Sequence, residues 1–227
     1  MSATNRGRAR RENDFYETPL ECTRAILPEL GPPTSMLDPC CGDGAILKVF
    51  EDAPGWWSWR HRGYDVSPIS SRASFASGTL ARDALSDEPW FPKHQLTSLR
   101  MVVTNPPYKL AQAFVSRALA EVDKEGRVAM LLRLPFLESL RRQSFHKKHP
   151  ADVYVFAKRP SFTGDGKTDA TAYAWFVWGP GRGGRWSILP HEGDEAAAAV
   201  DSGSRCRTAS RRSRVISACV GRPTRRR

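Results

Sequence analysis

Four consecutive residues, Asn105-Pro106-Pro107-Tyr108, combine a side-chain amide, two rigid rings and an aromatic face. The amide oxygen of Asn105 and the carbonyl of Pro106 can each accept one N–H of a planar amine. Such an amine is a poor nucleophile while its lone pair is delocalised into a ring, and two acceptors draw the nitrogen towards tetrahedral geometry. The prolines hold those acceptors in place, so the chemistry on offer is positioning and electrostatic preorganisation rather than covalent catalysis. Tyr108 adds a face for stacking a planar ring, and a ring paired in a duplex has to be flipped out to reach it.

Three acids fall where apolar runs end: Asp38, Asp65 and Asp83. Between the first and a following helical stretch lie Gly42 and Gly44, which let the backbone approach a ligand closely. Asp65 can accept hydrogen bonds from both hydroxyls of a ribose. Neither GxGxxG nor GxxxxGK[ST] occurs, which argues against dinucleotides and nucleoside triphosphates.

The elements that must position these groups follow from periodicity. Pro19 suits the first turn of a helix, and Leu20, Thr23, Ile26, Leu27 and Leu30 continue its period until Gly31-Pro32-Pro33. Strands are expected over 35–38, 57–66, 79–85, 100–104, 127–134, 153–157 and 172–178, with 185–189 as a candidate edge. Helices are expected over 45–50, 110–122 and 136–149, the last with a basic face. Trp175, Phe176 and Trp178 alternate as core and sheet-surface residues. Strands alternating with helices predict an α/β fold: a doubly wound, mostly parallel seven-stranded sheet with helices on both faces.

Leu37-Asp38-Pro39-Cys40-Cys41-Gly42-Asp43-Gly44-Ala45 resembles the first motif of class I S-adenosylmethionine-dependent methyltransferases, which have a Rossmann-like fold. Phe15-Tyr16-Glu17-Thr18-Pro19 resembles the segment that covers the methionine moiety in the amino-methyltransferase branch. Asn105-Pro106-Pro107-Tyr108 is similar to that branch's Asn/Asp/Ser-Pro-Pro-Tyr/Phe motif. The motif order resembles gamma-type adenine methyltransferases, small phage-type DNA adenine-N6 enzymes above all, over about Phe15 to Gly179.

The resemblance implies S-adenosyl-L-methionine as cofactor. Asp38, Pro39 and the Gly42/Gly44 turn would lie at its methionine end, with Asp65 at the ribose and Asp83 at the adenine amino group. Phe15, Thr18 and Pro19 would be further contacts, and Asn105 to Tyr108 the catalytic loop. The implied activity is methylation of adenine N6 in DNA. RNA adenine N6 and cytosine N4 are alternatives within the same chemistry, and the glutamine amide of a protein is one outside it. Pro39-Cys40 also resembles the Pro-Cys nucleophile of cytosine-C5 enzymes, but that thiolate follows the fourth strand, where this chain has Asn105. Cys40 and Cys41 are therefore read as small packing residues.

The formal charge of +11 is uneven. Residues 1–12 carry four Arg and one Glu, and residues 191–227 nine Arg and four acids, leaving the body with 22 bases against 19 acids. Basic ends attract polyanions without reading sequence. The expected organisation is a basic arm over 1–13, one catalytic domain over 14–190 and an Arg-rich tail over 191–227. Gamma-type enzymes usually append a recognition domain, and the tail lacks a core for one. Base or phosphate contacts are therefore expected from body loops: Phe162 and Lys167 in the glycine-rich stretch 159–167, and Arg141 and Arg142, with Lys147 and Lys148, on the basic helix.

Five cysteines show no CxxC pair and no histidine at ligand spacing, so neither zinc nor a disulfide framework is expected. No apolar stretch approaches a signal peptide or the roughly 20 residues of a membrane span. A cytoplasmic protein with nucleic acid, DNA first, as its partner is the expectation.

Overall fold

Consecutive apolar residues in this chain become strands covered on both faces. The computed structural model describes residues 17–55, 61–66, 79–90, 98–162 and 170–190. Among these, β1 (Met36–Asp38), β2 (His61–Asp65), β3 (Thr79–Ala81), β4 (Met101–Thr104), β5 (Arg127–Arg133), β6 (Asp152–Phe156), β7 (Tyr173–Trp178) and β8 (Trp186–Leu189) form one sheet. Its order is β3-β2-β1-β4-β5-β7-β6-β8. All neighbours pair parallel except β7, which is antiparallel to both β5 and β6.

Alternate residues of the central strands feed two separate cores. Val102, Val128, Met130, Leu132, Ala174, Phe176 and Trp178 face one. Met101, Val103, Ala129, Leu131, Tyr173, Trp175 and Val177 face the other. The helices divide accordingly. α1 (Leu20–Leu30) and α2 (Ala45–Asp52) cover the second core with Ile26, Leu30, Ile46, Leu47 and Phe50. α3 (Ala111–Glu121) covers the first with Phe114, Val115 and Ala118. Burial on both faces explains why β4, β5 and β7 read as unbroken apolar runs rather than alternating ones. It also places Trp175, Phe176 and Trp178 wholly in the core.

Buried indole and guanidinium donors tie helices to the sheet. Trp175 Nε1 donates to the Cys22 carbonyl at 2.8 Å and Trp178 Nε1 to the His149 carbonyl at 3.0 Å. Arg127 donates to the Leu30 carbonyl, at the other end of α1. The first helix is thus anchored through its backbone as well as its apolar face.

Among the described residues the sheet has eight strands, the seven expected and the candidate edge 185–189. The eighth is built by a buried acid at the start of β6. Asp152 accepts the N–H groups of Gly183 and Arg185, both at 3.0 Å, and the Arg185 guanidinium at 2.8 Å. These contacts hold the turn before β8 so that Trp186 to Leu189 pair with Val153 to Phe156. Burial alone would raise the Asp152 pKa, but Arg185 and the two backbone donors overcome it and hold the carboxylate at about 2.

The helix expected over 136–149 is broken. Leu134–Leu137 and Leu140–Arg142 are 3₁₀ turns, separated by an extended Ser139, and α4 is only Gln143–Lys148. Arg142 turns back to donate to the carbonyls of Phe136, Pro135 and Glu138 at 2.8, 3.1 and 3.2 Å. Satisfying those carbonyls locally stabilises the broken path, and no continuous basic helix face results. The third strand also stops earlier than expected, at Ala81, so that Asp83 lies in the following turn. Of the strand expected over 57–66, the described part is 61–65.

Gly63 in β2 packs directly against the turn after β1 and against α2. A Cβ there would lie 2.7 Å from Cys41 Sγ, 2.8 Å from Leu47 Cδ1 and 2.9 Å from Cys41 Cβ. Gly63→Ala should therefore lower the urea midpoint, by about 1–3 kcal/mol of unfolding free energy as overpacked cores do. An unchanged midpoint would show that Cys41 and α2 can shift freely.

Candidate active site

The strand order reverses between β1 and β4, where neighbouring connections run to opposite sides, and a cavity of about 510 Å³ opens beyond their carboxyl ends. Thr18, Asp38, Pro39, Gly42, Asp65, Asp83 and the whole run Asn105 to Tyr108 line it. Pro19 and Gly44 support the wall without lining it. Pro19 precedes α1, and Gly44 caps α2 in the left-handed conformation at φ 81°. Phe15 and Lys167 lie outside the described residues.

The turn after β1 is organised by two carboxylates. Asp65 Oδ2 accepts the Gly42 N–H at 3.0 Å, fixing a turn whose Gly42 has φ 50°. Asp38 is fully buried; its Oδ1 accepts the Cys40 N–H at 3.1 Å, and the buried hydroxyl of Thr104 is the other donor within reach of the carboxyl. Burial pushes the Asp38 pKa up to about 7, outweighing the Thr104 hydroxyl and the Cys40 N–H, which lower it, and Asp65 adds to the rise. Asp83 Oδ1 accepts the Leu85 N–H at 2.8 Å and so closes the turn after β3. Burial raises the thiol pKa of Cys40 well above its ordinary value, and that of Cys41 likewise. Neither is an activated nucleophile.

At the end of β4, Asn105 Nδ2 donates to Thr18 Oγ1 at 3.1 Å. Its Oδ1 is buried and accepts nothing. The next residues enter a 3₁₀ turn, Tyr108–Leu110, that leads into α3. Behind Tyr108 stands a cluster reached from two other strands. The Arg133 guanidinium lies 4.3 Å from the Tyr108 ring centroid, and Arg133 Nε donates to Tyr173 Oη at 3.2 Å. Tyr173 is 5.7 Å from Tyr108 and 4.7 Å from Phe162, centroid to centroid. Phe162 is therefore joined to the catalytic-type loop through Tyr173, although it does not line the cavity.

Arg141 and Arg142 are not at the cavity. Arg141 is exposed on the second 3₁₀ turn, and Arg142 is engaged with backbone carbonyls. Conversely, sequence reasoning missed Phe114, Arg133 and Tyr173. Phe114 lines the cavity from α3 and differs from a core residue only in depth. Arg133, at the end of a buried strand, was the one legible signal, because a charge there needs a partner. Among the described residues no group of three His, Cys, Asp or Glu could hold a metal, and no helix is long and apolar enough to cross a membrane.

No family model and no curated protein matches the sequence. Solved structures do match the fold. A candidate class I S-adenosylmethionine-dependent methyltransferase from Listeria monocytogenes superposes with a TM-score of 0.53 at 13% identity, over 75% of this chain and 63% of that one. The chain has the class I methyltransferase fold. DrdV in its complex with DNA gives 0.58 at 12% identity, over 80% of this chain and 28% of DrdV. A candidate RNA methyltransferase from Pyrococcus horikoshii gives 0.51 at 13% identity, over 74% and 88%. The chain thus spans less than two thirds of the first two.

A buried acid with its pKa near neutrality carries a stability penalty with a defined pH window. Between pH 4 and 7 the folded, unliganded protein retains a proton that unfolded Asp38 has lost, so this group makes stability fall as pH rises through that range. Asp38→Asn removes the penalty and keeps an acceptor for the Cys40 N–H. In urea unfolding without ligand, the variant should gain on the parent by a few kcal/mol between pH 4 and pH 8, taking about 1.4 kcal/mol per pKa unit. A pH-independent difference would show that Asp38 is ionised throughout.

Proposed function

We propose that this protein is an S-adenosylmethionine-dependent methyltransferase that methylates the exocyclic N6 amine of adenine in DNA. The observation that carries this reading is the buried, unpartnered Oδ1 of Asn105, at the cavity wall and next to Pro106 and Pro107. An acceptor left unsatisfied in a low-dielectric site costs stability, and an amine N–H donor would recover it.

The residues present fit a cationic, donor-bearing cofactor. Asp38, Asp65 and Asp83 stand at or just beyond neighbouring strand ends on the cavity wall, and the sequence lacks both phosphate-binding patterns. Asp38, Gly42 and Thr18 would hold the methionine end, Asp65 the ribose and Asp83 the adenine. When bound, S-adenosylmethionine supplies an electrophilic sulfonium methyl. Asn105 Oδ1 and the Pro106 carbonyl each accept one N–H of the substrate amine, which localises its lone pair on nitrogen. With the cofactor bound, the sulfonium C–S bond would break as the C–N bond forms, the cofactor would leave as the neutral thioether, and the surplus amine proton would pass to solvent along its hydrogen bond to Asn105 or Pro106. Tyr108 holds the ring by stacking, and Arg133 behind it fixes the Tyr108 plane.

The aromatic wall of Tyr108 backed by Tyr173 and Phe162 favours a planar heterocycle over the side-chain amide of a protein glutamine. The likeness to DrdV, solved with DNA, supports DNA; RNA adenine and cytosine N4 share the same loop chemistry.

Labelled cofactor incubated with DNA, RNA or protein, followed by mass spectrometry of the products, should yield N6-methyladenine from DNA. Label confined to protein glutamine would overturn the reading. Asn105→Ala should reduce turnover by at least about 10²-fold, as loss of a preorganised polar group does, while cofactor affinity measured by calorimetry stays within about twofold. Loss of cofactor affinity with turnover retained would reverse the roles.

A further inference from the structure

An asparagine can present either end of its amide, and the two ends are nearly identical in shape. Only the oxygen can receive an amine N–H. With Nδ2 towards the substrate, the loop would offer a donor to a donor. Nothing in Pro106 or Pro107 selects between the two orientations, because prolines restrain the backbone and not the Asn105 side chain. The selection has to come from elsewhere.

The contact that makes it is Thr18. This residue is 6% exposed, lines the cavity, and receives Asn105 Nδ2 on its hydroxyl oxygen at 3.1 Å across a sequence separation of 87 residues. Thr18 stands two residues before α1, and Pro19, with φ −58° and ψ 133°, leads it into that helix. α1 is itself fixed at both ends, through Trp175 to the Cys22 carbonyl and through Arg127 to the Leu30 carbonyl. A hydroxyl carried on so anchored a segment is a rigid reference point for the β4 loop. Its oxygen can accept the Asn105 N–H and still donate its own proton to an acceptor within the cavity it lines. With its proton so engaged, the hydroxyl can meet Asn105 only as an acceptor, so the amide turns Nδ2 to Thr18 and leaves Oδ1 for the substrate.

We propose that Thr18 is a positioning residue for Asn105: by accepting its Nδ2 hydrogen it sets the amide oxygen towards the substrate amine. This assigns Thr18 a role beyond cofactor contact, and its catalytic consequence rests on the amine-methylation reading above. The cofactor-covering segment and the catalytic loop are then one hydrogen-bonded unit. Substrate orientation is specified partly at residue 18.

Two substitutions separate this role from packing. Thr18→Val preserves shape and removes the hydroxyl; Thr18→Ser preserves the hydroxyl and removes the methyl. In the full chain, Thr18→Val should lower kcat about tenfold, the scale expected for losing one positioning hydrogen bond, and Thr18→Ser should stay within about twofold of the parent. Measured at saturating cofactor, the kcat loss in Thr18→Val should persist whatever cofactor affinity is lost with the hydroxyl. A Thr18→Val protein with parental kcat, equal impairment of both variants, or a loss lying wholly in cofactor affinity would each overturn the proposal.

A second readout needs no turnover. The assigned ¹⁵N side-chain amide signals of Asn105 should shift in Thr18→Val and keep parental positions in Thr18→Ser. Parental positions in Thr18→Val would overturn the contact itself. If those signals behave as expected while the parent protein methylates no amine, the functional reading fails and the Thr18–Asn105 contact stands.

Discussion

The site depends on β1 and β4 lying side by side and parallel. Their register, Met36 opposite Met101 and Leu37 opposite Val102, carries Asp38 and Asn105 to the same edge of the sheet although 67 positions separate them. At this pair the strand order reverses, so the connections diverge and leave a crevice instead of a packed interface. The turn after Asp38 and the Asn105–Tyr108 loop are thus placed by one strand pairing. Disturbing that pairing would damage both at once.

Two buried aspartates show how the molecule separates structure from function. Asp152 receives an arginine and two backbone N–H groups, stays ionised, and joins the last strand to the sheet. Asp38 receives one backbone N–H and the Thr104 hydroxyl, and burial moves its pKa towards neutrality. Neither carboxylate has exposed surface, but Asp38 lies deeper in the protein and lacks a cationic partner. A satisfied acid is a fastener, and an under-satisfied one is a vacancy for a ligand's donor. Asn105 Oδ1 repeats the second pattern on the other side of the cavity. Under-satisfied polar groups thus gather at the proposed site, as they often do at working sites.

The wall behind Tyr108 obeys a similar economy of placement. Arg133 leaves the end of β5, Tyr173 opens the antiparallel β7, and Phe162 precedes it, yet the two rings and the guanidinium gather behind Tyr108. The antiparallel return of β7 beside β5 is what sets Tyr173 opposite Arg133 in register. Stacking capacity at the site therefore depends on an insertion in the sheet order that a purely parallel fold would lack.

Much of this could be read from the amino-acid order alone, because it is local. Two prolines after a β-branched run determine where β4 ends and that rigid acceptors follow; glycines after Asp38 determine a tight turn; apolar runs determine a sheet buried on both faces. Tertiary structure decided what depends on partners distant in sequence. Arg142 chose carbonyls of its own turn over a continuing helix, which broke the segment 136–149 despite its helical composition. Asp152 recruited an eighth strand through Arg185. Residue type named Asp38 and Asn105 as candidates, but the charge of the first and the orientation of the second were not legible. A pKa is set by burial and donors, and an amide's direction by what its NH₂ meets, here a threonine brought from 87 residues away.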